Sequence, residues 1–377
     1  MNVSFAASPQ SSVGVEWELH LVDLDTLELT PAAAPLLERV RAVEGGPIRK
    51  EYLQCVIEIV SQPRQRVAEA IADIGEQLDL LREAAADLNV GLVGAGSHPF
   101  SHPMDQEPFH NQRYDVVTEH NQYWARQMAI CGTHVHVGIA KRDDVLPVTW
   151  TYGRFYPYLL ALSASSPFWD GIDTGYASQR TMLFQQLPTN GLPFKLKKWS
   201  QFEKLVEDQV QAGMISEVNE LRWDVRPSPK FGTVENRIPD SAPTLKELAC
   251  EAALTQSLGE YFARALAEGD TPDYLPPWLV RENKWRAARY GLDAEVITPN
   301  PDERILPLRH GLENLLNFLA PYADDLGCAD ELAVGHDIIA RGAPYERQRA
   351  WVRDGADLRE VARRMLQETA ANTPIAP

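Results

Sequence analysis

Hydrophobic and polar residues alternate along residues 13 to 24, which predicts a β-strand with one face against a core. A second apolar, β-branched run spans 51 to 60 and ends before Pro63. Further strands are predicted at about 89 to 96, 131 to 139, 220 to 226 and 232 to 239. The last two suit a hairpin, because Pro and Gly residues occur in the segment from 227 to 232 between them.

Helical periodicity fills the intervals between these strands and most of the last third of the chain. Before Asp240, helices are predicted at 67 to 88, 112 to 129, 143 to 166 and 200 to 213. After it, they are predicted at about 244 to 268, 280 to 290, 302 to 319, 329 to 340 and 355 to 370. The Gly-, Pro- and Asp-rich segment from 166 to 194 is predicted to be irregular and to cover a functional opening. This order predicts an α+β fold with an antiparallel sheet and a helical last third.

The chain has 377 residues, a length that suits one large or two medium domains. Its 36 basic and 53 acidic residues give a net charge of −17, which is unfavourable for binding nucleic acid or an anionic membrane. An anionic ligand must then be bound by a local arginine cluster or through metal. Neither a long apolar window nor a secretory leader is apparent, so no membrane association is predicted.

The four cysteines are far apart in the sequence and form no CxxC pair: Cys55, Cys131, Cys250 and Cys328. Neither a thiolate zinc site nor a disulfide framework is therefore indicated. Reduced thiols are typical of the cytoplasm, and a cytoplasmic location is expected.

Three of the predicted strands each carry two ionisable residues that are separated by a single residue. The pairs are Glu16 and Glu18, His134 and His136, and Glu235 and Arg237. Side chains at i and i+2 of a strand share a face, so each pair points to one side of the sheet. Each pair alone has an ordinary explanation, namely a solvent-exposed face, structural histidines or a salt bridge. If the three strands are neighbours, however, the side chains converge on one cavity, and adjacent glutamates tolerate each other only with cations between them.

Glu58 is a further candidate, because it lies in an apolar strand, which is a poor place for an unpaired carboxylate. Glu51 lies seven residues earlier and needs a bend or bulge to reach the same site. Carboxylates with an occasional imidazole match Mg²⁺ or Mn²⁺, whereas no third His or Cys lies at a spacing typical of zinc. Two such ions with arginines, among them Arg226 across the hairpin, form the general apparatus for phosphoryl transfer from ATP. The chain lacks a P-loop and protein-kinase motifs, so a nucleotide would have to lie on the sheet.

Six motifs occur in order between about residue 13 and residue 352: GVEWELHLVD (14–23), CGTHVHVG (131–138), DTGYASQR (173–180) with LPTNGLP (187–193), WDVRP (223–227), TVENR (233–237) and ENKWRAARYG (282–291). Together they resemble the type 2 glutamate-cysteine ligases, which are carboxylate-amine ligases of the glutamine synthetase and guanidino kinase superfamily. The resemblance implies a single glutamine synthetase-like catalytic domain over residues 1–377, with 353–377 as a C-terminal helix and tail. It also implies a curved antiparallel sheet with the active site on its concave face and helices on the other face.

The same resemblance implies roles for individual residues. One Mg²⁺ (or Mn²⁺) ion would be held by Glu18, Glu51 and Glu58, and a second by Glu16, His134 and Glu235. Arg237 and Arg226 would meet the transferred phosphoryl group. His136 would lie near the nucleotide phosphates, and Arg180 would contact substrate or a closing loop.

Two positions depart from the family pattern. Members commonly begin Gly-Val-Glu-Glu-Glu, and Trp17 replaces the middle glutamate, but its place on the opposite face of the strand should leave the metal ligands intact. Asn236 stands where an apolar residue is typical, and it is expected to alter packing or substrate contacts behind the site.

The implied reaction activates a carboxylate with ATP to an acyl phosphate, which an amine attacks to give an amide, ADP and phosphate. The implied partners are a small-molecule carboxylate and an amine, expected to be amino acids, with glutamate and cysteine as the inherited pair. Two alternatives stay open: an ATP-dependent kinase of a guanidino or other amine group, and a non-catalytic ligand-binding regulator on the same fold. A regulator should have lost metal ligands, whereas every expected ligand type is present. Exposed sheet edges would allow a homo-oligomer.

Overall fold

The structure, a computed structural model, describes residues 2–110, 112–270 and 275–376. Its strands are β1 (Val13–Asp23), β2 (Ile48–Lys50), β3 (Val56–Val60), β4 (Val90–Val93), β5 (Thr133–Gly138), β6 (Phe168–Trp169), β7 (Ile172–Asp173), β8 (Asn190–Gly191), β9 (Arg222–Trp223), β10 (Val225–Ser228), β11 (Thr233–Asn236), β12 (Glu295–Ile297) and β13 (Ile305–Pro307). Its helices are α1 (Ala33–Arg39), α2 (Val67–Ala86), α3 (Gln112–Asn121), α4 (Tyr123–Arg126), α5 (Val145–Ser163), α6 (Gln179–Phe184), α7 (Trp199–Gln211), α8 (Leu245–Ala267), α9 (Pro277–Tyr290), α10 (Leu308–Leu326), α11 (Ala329–Arg341), α12 (Pro344–Arg353) and α13 (Leu358–Ala371). Within the described ranges, none of the helices combines the length and the apolar character that crossing a membrane requires.

Seven strands form one antiparallel sheet in the order β10, β11, β5, β1, β3, β2, with β4 also paired to β1. The strands that carry the polar pairs are therefore neighbours, because β5 pairs with β11 on one side and with β1 on the other. Glu16 lies opposite His134, and Glu235 lies opposite His136. On the other side of β1, Glu18 lies opposite Glu58 of β3. The convergence that the alternating pattern predicts is thus set by the register of adjacent strands.

One face of this sheet is covered by helices α2, α5 and α8. Trp17 and Leu19 are fully buried on this side, since they alternate along β1 with Glu16 and Glu18. The indole N–H of Trp17 donates to the carbonyl of Ala242 at 3.0 Å. Burying a large apolar side chain contributes about 1.5–3 kcal/mol. The predicted position of Trp17 on the face opposite Glu16 and Glu18 is confirmed.

Helix α8 connects the sheet to the helical last third of the molecule. It packs against β5 and α2 on one side and against α10 and α11 on the other. Its buried residues run without interruption from Glu247 to Gly259, which is typical of a helix surrounded by other elements. The predicted α+β class, with an antiparallel sheet, helices on one face and a helical last third, is confirmed.

Several element boundaries differ from the sequence prediction for local reasons. The helix predicted at 112 to 129 is divided into α3 and α4, because Gln122 has a φ of 45°, outside the right-handed helical region. The helix predicted from 302 begins at Leu308, because Ile305–Pro307 pairs with Glu295–Ile297. The strand predicted at 51 to 60 begins at Val56. The segment from 166 to 194, which was expected to be irregular, contains α6 and three short strands.

Candidate metal and nucleotide site

The polar face of β1, β5 and β11 places two imidazoles between carboxylates. His134 Nδ1 lies 3.2 Å from Glu16 Oε2, and His134 Nε2 lies 3.7 Å from Glu18 Oε1. His136 Nε2 lies 3.6 Å from Glu16 Oε1 and 3.8 Å from Glu235 Oε2. These side chains are at most 16% exposed. The alternation of polar residues in three strands thus becomes one largely buried cluster.

Three groups of ligand atoms in this cluster are close enough together to hold a metal ion, because all atoms of a group lie within 4.8 Å of one another. The groups are Glu18 with Glu51 and Glu58, Glu16 with Glu58 and His134, and Glu16 with His136 and Glu235. Glu51 reaches its group because the chain turns between β2 and β3. This turn is the bend that the spacing of Glu51 and Glu58 requires.

The structure groups one predicted set of ligands as expected and divides the other. Glu18, Glu51 and Glu58 come together as the family resemblance implied. Glu16 and Glu235, however, are completed by His136 and not by His134, because His136 is the residue opposite Glu235 in the β5–β11 register. His134 lies instead with Glu16 and Glu58. The role of each ligand stays a prediction.

Burial makes most of these carboxyl groups difficult to ionise. Burial and the charges of Glu16, Glu51 and Glu18 raise the pKa of Glu58 well above its usual value. Burial, with a contribution from Glu51, also raises the pKa of Glu18 to about 8, and burial raises the pKa of Glu51. A bound divalent cation favours the ionised form of such groups. The donor set, which is mainly carboxylate oxygen, therefore fits Mg²⁺ or Mn²⁺.

His134 is well suited to be a ligand because its ring is neutral and partly unpartnered. Burial and the nearby Arg237 guanidinium lower the pKa of His134 to about 4. Its Nε2 atom is buried and has no hydrogen-bond partner among the described residues. Neutral imidazole is a common metal ligand, and an unpartnered buried nitrogen is costly without one. The orphaned atom therefore supports a metal at this position.

Two arginines converge on Glu235 at the edge of the cluster. Arg226 makes a bidentate contact, with Nε to Oε2 at 2.7 Å and Nη2 to Oε1 at 3.2 Å. Arg237 Nη1 contacts Oε1 of the same carboxylate. Burial raises the pKa of Glu235, but the charges of Arg226 and Arg237 outweigh it, so the net pKa is lowered. Glu235 is thus held ionised between two guanidinium groups that could also bind a phosphoryl oxygen.

Arg180 occupies a different place from the other predicted site residues. Only 4% of its side chain is exposed, so it offers little surface to a ligand. Its Nη1 atom donates to the carbonyls of Arg237 and Ile238, and it lies 3.8 Å from Asp240 Oδ1. Its guanidinium also packs behind Gly132, where an added Cβ would meet Nη2 at 2.0 Å. Arg180 therefore supports the backbone that carries Arg237, and direct substrate contact stays a prediction.

Sequence reasoning missed Arg49, which lies on β2 opposite Glu58. Its Nη1 atom is 3.9 Å from Glu16 Oε1 and 3.8 Å from Glu58 Oε2. A signal was available, because Arg49 and Glu51 are separated by one residue like the other polar pairs. β2 itself is only three residues long and was not predicted, because the predicted strand began at residue 51.

One cavity opens onto the cluster, and a larger one neighbours it. One, of about 470 Å³, is lined by Glu16, Arg49, His136, Arg226 and Glu235 together with the β10–β11 turn. The other, of about 1030 Å³, lies between α3 and the segments 187–189 and 212–222. The smaller cavity thus offers space for a ligand beside the carboxylates and imidazoles of the polar face.

The sequence model of glutamate-cysteine ligase family 2 matches residues 12–366. The chain belongs to this family. Membership confirms the family predicted from the six motifs, and it confirms the predicted enzyme class, an ATP-dependent carboxylate–amine ligase.

Similar proteins support the same relationship over nearly the whole chain. A Nocardioides sp. protein that bears the name glutamate–cysteine ligase 2-3 is 46% identical over 375 residues, covering 98% of this chain and 99% of that protein. A Nocardia farcinica protein named glutamate–cysteine ligase 2-2 is 47% identical over 353 residues, covering 92% of each chain. High identity over full length leaves little room for a change of fold.

Two solved structures share the fold at much lower identity. The glutamate–cysteine ligase of Francisella tularensis, solved in complex with AMP, has a TM-score of 0.70 at 14% identity, covering 97% of this chain and 90% of that chain. A bifunctional glutathione synthetase from Pasteurella multocida has a TM-score of 0.68 at 16% identity, covering 96% of this chain and 52% of that chain. At this identity, the similarity concerns the fold, and it agrees with the predicted ligase-type sheet.

Proposed function

We propose that the polar face of the sheet is the active site of this ligase and that its substrates are amino acids, with glutamate and cysteine as the reference pair. The observation that carries the proposal is the convergence of three potential metal groups and two arginines on one buried face. Buried carboxylates that lack enough protein cations are costly in a folded chain. Their retention is best explained by metal ions that bind with the nucleotide.

The proposed ligands follow the groups that the geometry favours. Glu18, Glu51 and Glu58 would hold one Mg²⁺ or Mn²⁺ ion, and Glu16, His136 and Glu235 a second, with His134 between them. Such ions would supply positive charge against the nucleotide phosphates and against the charge that develops during phosphoryl transfer. His136 lies in the smaller cavity with Arg226 and Glu235, which suits a position beside the nucleotide phosphates.

The chemistry requires positioning and charge stabilisation more than a protein nucleophile. A carboxylate is a poor acyl donor because oxide would have to leave. Its oxygen therefore attacks the γ-phosphorus of ATP, the bond to the β-phosphate oxygen breaks, and ADP departs. The amine nitrogen then attacks the acyl carbon, phosphate leaves with the C–O electron pair, and the nitrogen loses a proton. Arg237 and Arg226 would hold the phosphoryl oxygens in both steps.

The non-catalytic alternative is less well supported by these contacts. A regulator on this fold has no need to keep a complete set of buried ligands, yet the six predicted ligands all lie in groups of potential metal ligands. The kinase alternative shares the phosphoryl-transfer half of the site. It differs in product, because a kinase would leave a phosphorylated amine and a ligase would leave an amide and free phosphate.

The proposal is tested by screening amino acids and amines for release of ADP and phosphate from ATP in the presence of Mg²⁺. Glu58→Gln and Glu235→Gln should abolish release while circular dichroism stays unchanged. Glu83→Gln, on the exposed surface of α2, is the matched control and should retain turnover. Full turnover by folded Glu58→Gln would refute the metal assignment, and a phosphorylated amine as product would favour the kinase.

A further inference from the structure

The cavity of about 1030 Å³ is more than twice as large as the one that contains His136 and Glu235. Helix α3 forms one wall, and the segments 187–189 and 212–222 form the others. The two cavities share Glu217 as a lining residue, so they are neighbours. This arrangement places the larger cavity beside the one that contains His136 and Glu235.

The walls of the larger cavity are fastened to residues of the metal cluster. Tyr52, which follows Glu51, shares a hydrogen bond of 2.7 Å with Thr118 on α3. On the opposite side, Arg226 Nη1 donates to the carbonyls of Asn219 and Leu221 at 2.7 and 2.9 Å. Both walls are therefore positioned by side chains that belong to, or adjoin, the groups around Glu51 and Glu235.

The cavity is larger than cysteine, the amine of the reference pair, requires. Pockets for drug-sized ligands occupy roughly 300–1,000 Å³, and the larger cavity is at the top of that range. Cysteine is far smaller than such ligands. If cysteine were the amine, most of the wall would remain in contact with water.

The residues that line the cavity indicate the chemical character of a ligand large enough to fill it. Apolar side chains cover much of the wall, among them Val117 on α3, Leu187 and Pro188, and Met214 and Ile215. Glu217, Glu220 and Arg222 also line this cavity. Carboxylates attract the ammonium group of an amine, a guanidinium attracts the carboxylate of an amino acid, and an apolar wall favours an apolar substituent.

We propose that this cavity binds the amine substrate and that this amine carries an apolar group much larger than the cysteine side chain. The inference rests on the proposed function, because the same metal site must activate the carboxylate. The carboxylate substrate would lie closer to Arg237 and the metal ligands, with its activated carbon facing the cavity. A primary amine with an aromatic or branched aliphatic group is the class of ligand expected.

The first test compares amines with glutamate held constant as the carboxylate. Release of ADP and phosphate is measured with cysteine, leucine, phenylalanine and phenethylamine. We expect kcat/KM to be at least about tenfold higher for the larger apolar amines than for cysteine, since each added apolar contact in a fitted pocket contributes roughly a tenfold preference or more. A clear preference for cysteine would overturn the inference and leave the proposed ligase function intact.

The second test narrows the cavity. Val117→Trp should raise KM for phenylalanine about tenfold and leave KM for cysteine and ATP nearly unchanged. Leu80→Trp, on the exposed surface of α2, is the matched control and should change none of these values. Equal effects of Val117→Trp on both amines would contradict a role in selecting the apolar group.

A binding measurement keeps the inference testable if no substrate pair turns over. Calorimetric titration of phenylalanine and phenethylamine into the protein with Mg²⁺ and ATP should detect binding to the wild type that Val117→Trp weakens. If an apolar amine binds but no ADP is released, the inference of an amine site stands and the result counts against the proposed ligase reaction. Absence of binding by every apolar amine would overturn the inference itself.

Discussion

The polar face of the sheet and the junction between α8, α12 and α13 both bury glutamates, but they compensate the charge differently. At the junction, Arg347 donates to Glu368 at 2.8 Å and to Glu247 at 2.9 Å. Thr244 donates to Glu247 and the backbone N–H of Ile375 donates to Glu368, each at 2.8 Å. Each carboxylate there has a guanidinium and another donor within hydrogen-bonding distance.

On the polar face, carboxylates outnumber the cations that reach them. Glu58 is paired with Arg49 only at 3.8 Å, and its pKa is raised well above normal by burial and by three neighbouring glutamates. Buried charges that the protein itself neutralises hold helices together, whereas buried charges without such partners mark a place where a ligand must supply the cation. The comparison predicts opposite responses of stability and activity in the two regions.

The largest effect is expected from Arg347→Met. This change leaves Glu247 and Glu368 buried without their guanidinium, and it should lower the free energy of unfolding by about 3–5 kcal/mol. Urea denaturation measures it, with Arg353→Met at the exposed end of α12 as control. In metal-free buffer, Glu58→Gln should leave stability unchanged or raise it. A comparable loss in Glu58→Gln would mean that the polar face is also a stabilising network.

The second prediction concerns pH in the absence of metal. Burial raises the pKa of Glu18 to about 8, whereas an unfolded glutamate has a pKa of about 4.5. The folded state therefore binds the extra proton between these values, and stability falls as pH rises from about 4.5 to 8. Glu18→Gln removes this dependence, so its stability relative to wild type should increase by up to about 1.4 kcal/mol for each pH unit within that range. A constant difference between the two proteins would show that Glu18 ionises normally.

The strand-based part of the site could be predicted from sequence because it depends on simple geometry. Glu16 and Glu18 share a face by alternation, and the same rule applies to His134 with His136 and to Glu235 with Arg237. Alternation does not specify which residues face each other across strands. The pairing of His136 with Glu235 depends on the β5–β11 register, which tertiary packing sets, so alternation alone could not place His136 beside Glu16 and Glu235.

Residues outside regular strands were harder to place. Arg180 belongs to α6, and its contacts with the carbonyls of Arg237 and Ile238 join segments more than 50 residues apart in the sequence. The large cavity depends on where α3 meets the 212–222 segment, and neither has a distinctive motif. Such contacts are decided by loop conformation and helix packing, which local sequence patterns do not encode.

The third prediction concerns the effect of added Mg²⁺ on the stability of the two regions. Mg²⁺ at about 100 times its dissociation constant should stabilise the wild type by roughly 2.7 kcal/mol, since it binds the folded state. Thermal unfolding with MgCl₂, against KCl of matched ionic strength, measures the increase. Arg347→Met should keep the increase and Glu58→Gln should lose most of it. If Glu58→Gln gained as much as the wild type, the three carboxylates would not form the ion site.

The smallest effect on stability is expected for a change in β11. In this strand Glu235, on the polar face, is next to Asn236, on the packed face. Asn236 points to the packed side, where its Nδ2 donates to Thr255 Oγ1 at 3.0 Å and its Oδ1 accepts from the N–H of Ile238 at 3.1 Å. Asn236→Leu would leave that N–H without its acceptor and should lower stability by about 1–2 kcal/mol. Because the side chain is on the face opposite Glu235, kcat for ADP release should stay within about twofold of the wild type, which corresponds to less than about 0.5 kcal/mol. Loss of activity in stably folded Asn236→Leu would show that the two faces of β11 are not functionally separate, and that packing behind the sheet sets the position of Glu235.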